Sequence, residues 1–445
     1  MANKKPGTET NIFRQPVELL QKLITFDTTN PPGNEAECIK YIDKLLKQAG
    51  IKTTLLARDP NRPNLIARLK GQGSAPPLLL YGHVDVVGVQ GQDWLHPPFE
   101  GKIEDGFLWG RGALDMKSGI AMMLCAFLRA AAKSIYLPGD VVLCIVSDEE
   151  ALGKFGARYL VENHGEHFTG VRYALGEFGG FTFYIKGKKF YLVQVAEKQV
   201  CHIKAEIQGP PGHGAFVLRG GAMAKLGRAL QMLDENYLPV HIIPIVRTMF
   251  ETFAKELPFP KGFFMRRLLN HRFTDKILNK LGESGRAFAP LFHNMINATV
   301  VRGGSKFNVI PSQVEFEMDV RLLPGFSPED IKKELRLLLG TGIAFDVLSY
   351  QPGSGKPDLG LFPTLAEILQ EADPKGIPVP ILITAATDAR YFSKLGIQTY
   401  GFTPMQLPQD MNFLSLMHGA NERIPVDSLG FGTEAILQAL QRFHQ

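Results

Sequence analysis

Apolar runs and helical periodicities alternate along the first 150 residues of the chain. Uninterrupted apolar runs at residues 78–81 and 141–146, bounded by Gly and Pro, predict strands that are buried on both faces. Between them, residues 118–132 are rich in Ala, Met and Leu and predict a helix. Residues 16–24 and 34–49 carry apolar positions at helical spacing. Strands that alternate with helices predict an α/β layered domain with a mixed central sheet.

From about residue 197 the pattern changes to strict alternation of apolar and polar positions, which is typical of half-buried strands. Four strands are predicted in this way, at residues 201–208, 297–301, 313–322 and 344–348. Helices are predicted at residues 222–233 and 328–339. This order predicts an inserted α+β domain with a four-stranded antiparallel sheet and two helices.

The α/β pattern then returns, with a helix predicted at residues 361–371 and another at 426–441. We therefore expect one α/β domain made of residues 1–196 and 351–445, interrupted by a second domain at 197–350.

Composition narrows the class of protein. The chain of 445 residues is 45% hydrophobic and 21% charged, which excludes wholesale disorder. Its 4 cysteines form no CxxC pair, so a disulfide scaffold and a thiolate zinc finger are not expected. A net charge of +5 is too small to indicate a nucleic-acid partner. The polar first residues and the lack of a bilayer-length apolar run predict a cytoplasmic protein without an integral membrane segment.

Histidines and carboxylates follow the predicted buried strands, at the edge where open α/β sheets place their ligands. These candidates are His83, Asp85, Asp115, Glu149, Glu150 and Glu177, and a polar loop late in the chain adds His418. Each alone is also typical of a hydrogen-bonded core histidine, a helix cap or a solvated acidic pair. Together they offer the mixed nitrogen and oxygen ligands that zinc, manganese or cobalt accept. Crowded carboxylates also repel one another unless a cation compensates them, so the combination predicts a metal site.

The strings that carry these residues occur in a specific order. They are His83-x-Asp85, Gly112-Ala-Leu-Asp115-Met-Lys, Asp148-Glu149-Glu150, Gly176-Glu177-Phe-Gly-Gly and His418-Gly-x-Asn-Glu422. This ordered set resembles that of the dinuclear zinc aminoacylase/carboxypeptidase family, which includes acetylornithine deacetylase, succinyl-diaminopimelate desuccinylase, glutamate carboxypeptidase and aminoacylase. The resemblance covers almost the whole chain, including the inserted domain.

The resemblance implies two zinc ions per subunit, with cobalt or manganese as substitutes. His83 and Glu177 would bind one ion, and Glu150 and His418 would bind the other. Asp115 would bridge the two ions, and the peptide bond that follows it would be cis.

Two further residues receive catalytic roles from the resemblance. Asp85 would orient the metal ligand His83 and raise its basicity. Glu149, next to a ligand without being one, would be the general base.

The inserted domain resembles the lid of the same family. The resemblance implies that His213 donates a hydrogen bond to the tetrahedral oxyanion and that the lids can form a homodimer. Asn308 and Arg321 match lid residues that hold a substrate carboxylate, and Arg390 lies in a further active-site loop. The alternative for Arg321 is an ion pair on the strand surface.

Residues 238–292 form an unusually long insertion in the lid. This segment contains eight phenylalanines, and residues 245–292 carry nine Lys or Arg against four acidic residues. We expect one or two extra helices packed on the lid, a pocket for a large apolar acyl group, or a basic amphipathic helix that touches membranes. The insertion resembles the branch of carboxypeptidase S and the N-fatty-acyl amino acid hydrolases.

The sequence therefore predicts a zinc-dependent amide-bond hydrolase. Its expected substrates are N-acyl amino acids or short peptides with a free carboxylate. An aminopeptidase or dipeptidase is the alternative enzyme, but no additional acidic residue is clearly placed to bind a substrate ammonium. A non-catalytic binding protein is the alternative of another class, but it predicts the loss of a ligand or of the base, and all seven residues are present.

Overall fold

A computed structural model of the protein describes residues 15–353 and 355–444. The helices are α1 (Pro16–Ile24), α2 (Ala36–Gln48), α3 (Lys117–Ala132), α4 (Ala157–Asn163), α5 (Ala222–Glu235), α6 (Pro244–Glu256), α7 (Lys261–Leu268), α8 (Thr274–Lys280), α9 (Glu283–Phe288), α10 (Pro328–Leu339), α11 (Phe362–Ala372), α12 (Ala389–Phe392), α13 (Phe413–Leu416) and α14 (Val426–Arg442). The strands are β1 (Thr53–Leu56), β2 (Asn64–Leu69), β3 (Leu78–His83), β4 (Lys102–Glu104), β5 (Phe107–Trp109), β6 (Val141–Val146), β7 (Tyr173–Gly176), β8 (Phe181–Ile185), β9 (Lys188–Glu197), β10 (Gln199–Gln208), β11 (Gly212–His213), β12 (Met295–Gly303), β13 (Val309–Ile310), β14 (Gln313–Leu322), β15 (Ile343–Gln351), β16 (Gly376–Ile383), β17 (Gln398–Gly401) and β18 (Arg423–Pro425).

The chain divides into two compact units. The first comprises the chain up to Val195, residues 358–381 and the chain from Thr387 onward. The second comprises residues 196–357 together with residues 382–386.

A mixed nine-stranded sheet forms the centre of the first unit. Its strand order is β1-β2-β6-β3-β7-β17-β9-β16, with β8 paired to β9. Strands β6, β3, β7 and β17 run parallel to one another, whereas β2 pairs antiparallel with β6 and β9 pairs antiparallel with β17. The predicted mixed sheet is confirmed. Because β6, β3 and β7 are parallel and adjacent, the residues that follow them meet at one edge of the sheet.

Helices cover both faces of this sheet. On one face, Leu79 of β3 and Val142 of β6 pack in a cluster with Leu160 of α4. On the other face, a Cβ added to Gly82 would lie 2.6 Å from the side chain of Met116, beside α3. Strands β3 and β6 are buried along their whole length, which explains their uninterrupted apolar sequence.

The second unit contains a separate four-stranded antiparallel sheet of order β12-β14-β10-β15. Side chains alternate between buried and more exposed along β14, as the period of two predicts. Ile203 and Phe316 of the sheet share one apolar core with Leu226 of α5 and Leu335 of α10. The predicted four-stranded sheet with two helices is confirmed.

The long insertion forms four short helices, α6 to α9, where one or two were expected. Pro258 and Pro260 separate α6 from α7, and Gly282, at φ +58°, separates α8 from α9. Proline and a left-handed glycine both end a helix, so the segment breaks into short pieces. Phe250 and Phe292 of this segment are fully buried, with ring centroids 4.9 Å apart.

Several elements were not predicted, among them the β8–β9 hairpin. Its turn consists of Lys186 and Gly187, both at positive φ. Within the described residues, no helix combines the length and the apolar content needed to cross a bilayer. The first residues of the chain, on which the prediction of a cytoplasmic protein partly rests, lie outside the described residues.

Candidate metal centre

The ends of three parallel strands bring the candidate ligands of the first unit together. His83 is the last residue of β3, and Glu177 directly follows β7. Glu150 lies in a single 3-10 turn, Glu149–Ala151, just beyond β6. Asp115 lies just before α3. The peptide bond between Asp115 and Met116 is cis, as the family resemblance implied. His418 lies in the loop between α13 and β18.

Asp115 lies between the two histidines. Its Oδ1 is 3.2 Å from Nε2 of His83, and its Oδ2 is 3.1 Å from Nε2 of His418. Glu177 approaches the same nitrogen of His83 at 3.2 Å, and Glu150 approaches that of His418 at 3.3 Å. Each histidine nitrogen thus faces two carboxylates, one of which is shared.

These separations fit a metal-ligand set. Ligand atoms that bind zinc tetrahedrally at about 2.0–2.1 Å are about 3.3 Å apart. Two groups of ligand atoms lie within 4.8 Å of one another, His83 with Glu149 and Glu177, and His83 with Asp115 and Glu150. Among the described residues, the buried Oε1 atoms of Glu150 and Glu177 have no hydrogen-bond partner, as expected of oxygens that face a cation.

Electrostatics also favours a cation at this position. Burial alone lowers the pKa of His83, but the charge of Glu177 and the hydrogen bonds to Asp115 and neighbouring carboxylates raise it well above its usual range. Hydrogen bonds to Asp115 and Glu150 raise the pKa of His418 to about 10. The carboxylates therefore attract positive charge strongly, and a divalent cation provides it while leaving the histidines neutral.

His83 presents one defined nitrogen to the cluster. Its Nδ1 lies 3.0 Å from the backbone carbonyl of Asp85, which accepts but does not donate, so Nδ1 donates. The neutral ring therefore carries its lone pair on Nε2, the atom that faces Asp115 and Glu177. The predicted partner was the Asp85 carboxylate, but this group lies farther from Nδ1, at 3.5 Å.

The carboxylate of Asp85 also holds the acidic turn after β6. It accepts hydrogen bonds from the backbone N–H groups of Glu149 and Glu150, each at 3.1 Å. The amide of Asn30 donates to it at 2.8 Å. Asp85 is completely buried, and these bonds fix the position of two candidate site residues at once.

A buried ion-pair network also holds the acidic turn after β6, through Asp148. Arg62 contacts Asp148 at 2.9 Å and Glu35 at 2.7 Å. Asn30 also donates to Asp148, at 3.1 Å. No role was predicted from the sequence for Asn30, Arg62 or Glu35. Their signal was weak, because a polar turn and a lone Glu are usually solvent-exposed.

Glu422 performs a similar task for the turn that carries Asp115. Its carboxylate accepts from the backbone N–H groups of Gly112, Leu114 and Asp115, at 3.0, 2.6 and 3.1 Å. It also pairs with Arg111 at 2.8 Å, and both side chains are buried. Glu422 belongs to the motif that contains His418, but no role was predicted for it from the sequence.

Glu149 lies next to the cluster in an unusual electrostatic setting. Burial, followed by the charges of Glu177 and Asp388, raises its pKa well above the usual range. Burial also raises the pKa of Asp388 to about 8, against the opposing charge of Arg390. Arg390 itself is buried, with its guanidinium 4.8 Å from the centre of the Tyr391 ring.

Comparison with known proteins identifies the family. The model of peptidase family M20/M25/M40 matches residues 79–442.

The chain belongs to this family.

Its relatives include two enzymes that are named for amino acid derivatives. The N-fatty-acyl-amino acid synthase/hydrolase PM20D1 of Homo sapiens is 26% identical over 389 residues, which are 83% of this chain and 75% of the relative. Aminoacylase-1 of Mus musculus is 23% identical and covers 96% of this chain and 94% of its own. The M20 metallo-carboxypeptidase Sso-CP2 of Sulfolobus solfataricus has the same fold, with a TM-score of 0.62, 16% identity and coverage of 96% of this chain and 98% of its own.

The second unit of the chain carries three other candidate site residues, His213, Asn308 and Arg321. Strands β11 and β13 pair His213 with Val309, and the backbone N–H of Gly214 donates to the carbonyl of Asn308 at 2.9 Å. His213 and Asn308 are thereby brought together. Arg321, in β14, forks onto Asp319 at 3.0–3.3 Å, which is the ion pair that the sequence analysis gave as the alternative.

Proposed function

We propose that this family member is a zinc-dependent hydrolase that cleaves the amide bond of N-acyl amino acids or short peptides with a free carboxylate. One ion would be held by His83 and Glu177, the other by Glu150 and His418, and both by Asp115. The observation that carries this proposal is the position of Asp115, with one oxygen 3.2 Å from His83 and the other 3.1 Å from His418. Cobalt or manganese would fit the same donor set.

The ions would supply Lewis-acid activation of the substrate carbonyl and of the attacking water. Glu149 is the proposed general base. Its carboxylate takes the proton of the water and returns it to the leaving amine nitrogen. The position of Glu149 supports this role, because its carboxylate lies beside the proposed ligands, with an oxygen within 4.8 Å of ligand atoms of His83 and Glu177.

His213 is the proposed donor to the developing oxyanion. Its Nδ1 accepts a hydrogen bond from the backbone N–H of Ala215 at 3.2 Å, so the neutral ring carries its proton on Nε2. This tautomer leaves a ring N–H that is free to donate to the substrate oxygen.

The substrate carboxylate is assigned to residues with matching donors. Arg321 offers a guanidinium fork that Asp319 already holds in one orientation, and Asn308 offers an amide. Arg390 is the third proposed substrate-binding residue. A homodimer through the second unit and a cytoplasmic location stay predictions.

Turnover of zinc-loaded enzyme on a panel of N-acyl amino acids with graded acyl chains, followed by amine release, tests the proposal. Glu149→Gln should lower turnover by about 10²–10⁴-fold while two zinc ions per chain are retained. Glu162→Gln is the matched control, since that side chain is exposed and pairs only with surface cations.

Three results would contradict the assignment. Full activity in Glu149→Gln removes this residue from the mechanism. Loss of zinc makes Glu149 a ligand, as its proximity to His83 and Glu177 would allow. Release of amine only from substrates with a free α-ammonium favours the aminopeptidase alternative.

A further inference from the structure

Three phenylalanines of the insertion form an exposed apolar cluster. Phe259, Phe263 and Phe264 are 85%, 45% and 49% exposed. Their ring centroids lie 6.3 Å apart from Phe259 to Phe263 and 5.7 Å apart from Phe263 to Phe264. We call these three residues the phenylalanine tip. Contiguous exposed aromatic surface is unfavourable in water and marks a site of interaction.

The local structure holds the tip outward. Helix α7 buries Gly262 and Leu268 and leaves Phe263 and Phe264 on its exposed side. A Cβ at Gly262 would lie 2.5 Å from the carbonyl oxygen of Ala254, so α7 packs closely on the end of α6. Because the opposite face of α7 is used for this contact, the two phenylalanines cannot turn inward without undoing the packing of the helix.

The segment that carries the phenylalanine tip is rich in basic residues. Residues 255–280 contain seven lysines or arginines and two acidic residues, an excess equal to the net charge of the whole chain. One of the two acidic residues, Asp275, lies 3.1 Å from His293. Within the described part of the chain, no ion pair joins an acidic residue to the exposed cations Arg266, Arg267, Arg272, Lys276 and Lys280.

Arginine also connects the charge to the aromatic surface. The guanidinium of Arg267 lies 5.0 Å from the ring centre of Phe263 and 5.1 Å from that of Phe273. The positive charge and the apolar rings are therefore parts of one surface.

We propose that the phenylalanine tip and the basic residues of the same segment bind the protein to an anionic lipid bilayer. The rings enter the boundary between headgroups and acyl chains, and the cations lie at the lipid phosphates. Exposed apolar side chains and positive charge are the two signals that together give stable peripheral binding. This inference is independent of the proposed hydrolase reaction.

The geometry favours a bilayer over two other ligands. Rings inclined at 53° and 74° to one another offer no row of parallel faces for stacked bases of a nucleic acid. An acyl-chain site needs enclosing walls, and a phenylalanine that is 85% exposed encloses nothing.

Sedimentation of the full chain with vesicles tests the proposal. Binding should be strong with vesicles of phosphatidylcholine mixed with phosphatidylglycerol, weak with phosphatidylcholine alone, and weaker at high salt. The combined variant Phe259→Ser, Phe263→Ser, Phe264→Ser should bind at least about tenfold less, since each ring contributes buried apolar area. Phe183→Ser, at a position 43% exposed in the first unit, should bind like the wild type.

A second variant tests the charge and does not alter the apolar surface. Arg266→Gln combined with Arg272→Gln should weaken binding about fivefold per residue removed. Both variants should have the far-ultraviolet circular dichroism spectrum and the melting temperature of the wild type, which shows that they are folded.

Equal binding to both vesicle types, or no binding to either, overturns the proposal. So does full vesicle binding by the triple Phe variant. Tighter binding to single-stranded oligonucleotide than to vesicles assigns the surface to nucleic acid, and phenylalanine-dependent dimers in sedimentation velocity assign it to a second copy of the chain.

Discussion

Glu422→Gln is expected to destabilise the first unit strongly, although it changes only one atom of the side chain. The carboxylate accepts four hydrogen bonds, one from Arg111 and three from backbone N–H groups of the turn that precedes α3. In glutamine, one acceptor oxygen becomes an NH₂ group that donates. Whichever way the amide is turned, two of the four donors then face another donor.

The magnitude follows from burial. Each buried donor left without a partner costs about 1–3 kcal/mol. Breaking a buried ion pair by removing one charge costs about 3–5 kcal/mol, and the Glu422 and Arg111 side chains are 0% and 1% exposed. The cost of the unpaired donors and the cost of the broken ion pair count partly the same lost contacts, so they are not added. We therefore expect the free energy of unfolding to fall by about 3–5 kcal/mol.

Urea denaturation followed by tryptophan fluorescence measures this loss. The protein has 2 tryptophans, Trp94 and Trp109, and both lie in the first unit. Glu434→Gln is the matched control, because that side chain is 58% exposed on α14 and its loss should stay within about 0.5 kcal/mol. A Glu422→Gln protein within about 1 kcal/mol of wild type would refute the reasoning.

Further predictions concern the metal and pH. His83→Ala and His418→Ala should each lower the zinc content measured by mass spectrometry, since each removes a nitrogen ligand; an unchanged content would contradict the site. Chelation should lower the melting temperature and added zinc should restore it, because a ligand of the folded state stabilises it; chelation without effect would argue against bound metal. Burial lowers the pKa of Lys198 to about 7 from 10.5, so the folded protein binds fewer protons and its stability rises with pH across that window. Lys198→Met should flatten this rise in urea denaturation, and equal slopes would contradict it.

Local sequence patterns determined many of the strands and helices in both units. Strands β3 and β6 are buried along their whole length, so their uninterrupted apolar runs were sufficient to identify them. The alternation along β14 predicted its strand with the bounds that the structure shows. The β8–β9 hairpin was missed because its two-residue turn, Lys186-Gly187, lacks the usual Asn-Gly or Asp-Gly signal.

Four of the five candidate ligands were identifiable because each lies at or just after a strand end or just before a helix, where the backbone places side chains at the sheet edge. The approach of His418 to Asp115, residues 303 positions apart, was not readable from spacing alone. Resemblance to a family supplied that pairing as an expectation, and the structure supplied its distances.

Only the tertiary structure decided which partner each polar atom uses and which apolar side chain is covered. Asp85 holds the acidic turn more closely than it holds His83, and Glu422 holds the turn before Asp115. Phe250 is buried while Phe259 is 85% exposed, although both lie in one phenylalanine-rich segment. Periodicity depends on neighbours along the chain, whereas hydrogen-bond partners and burial depend on segments that the fold brings from far away.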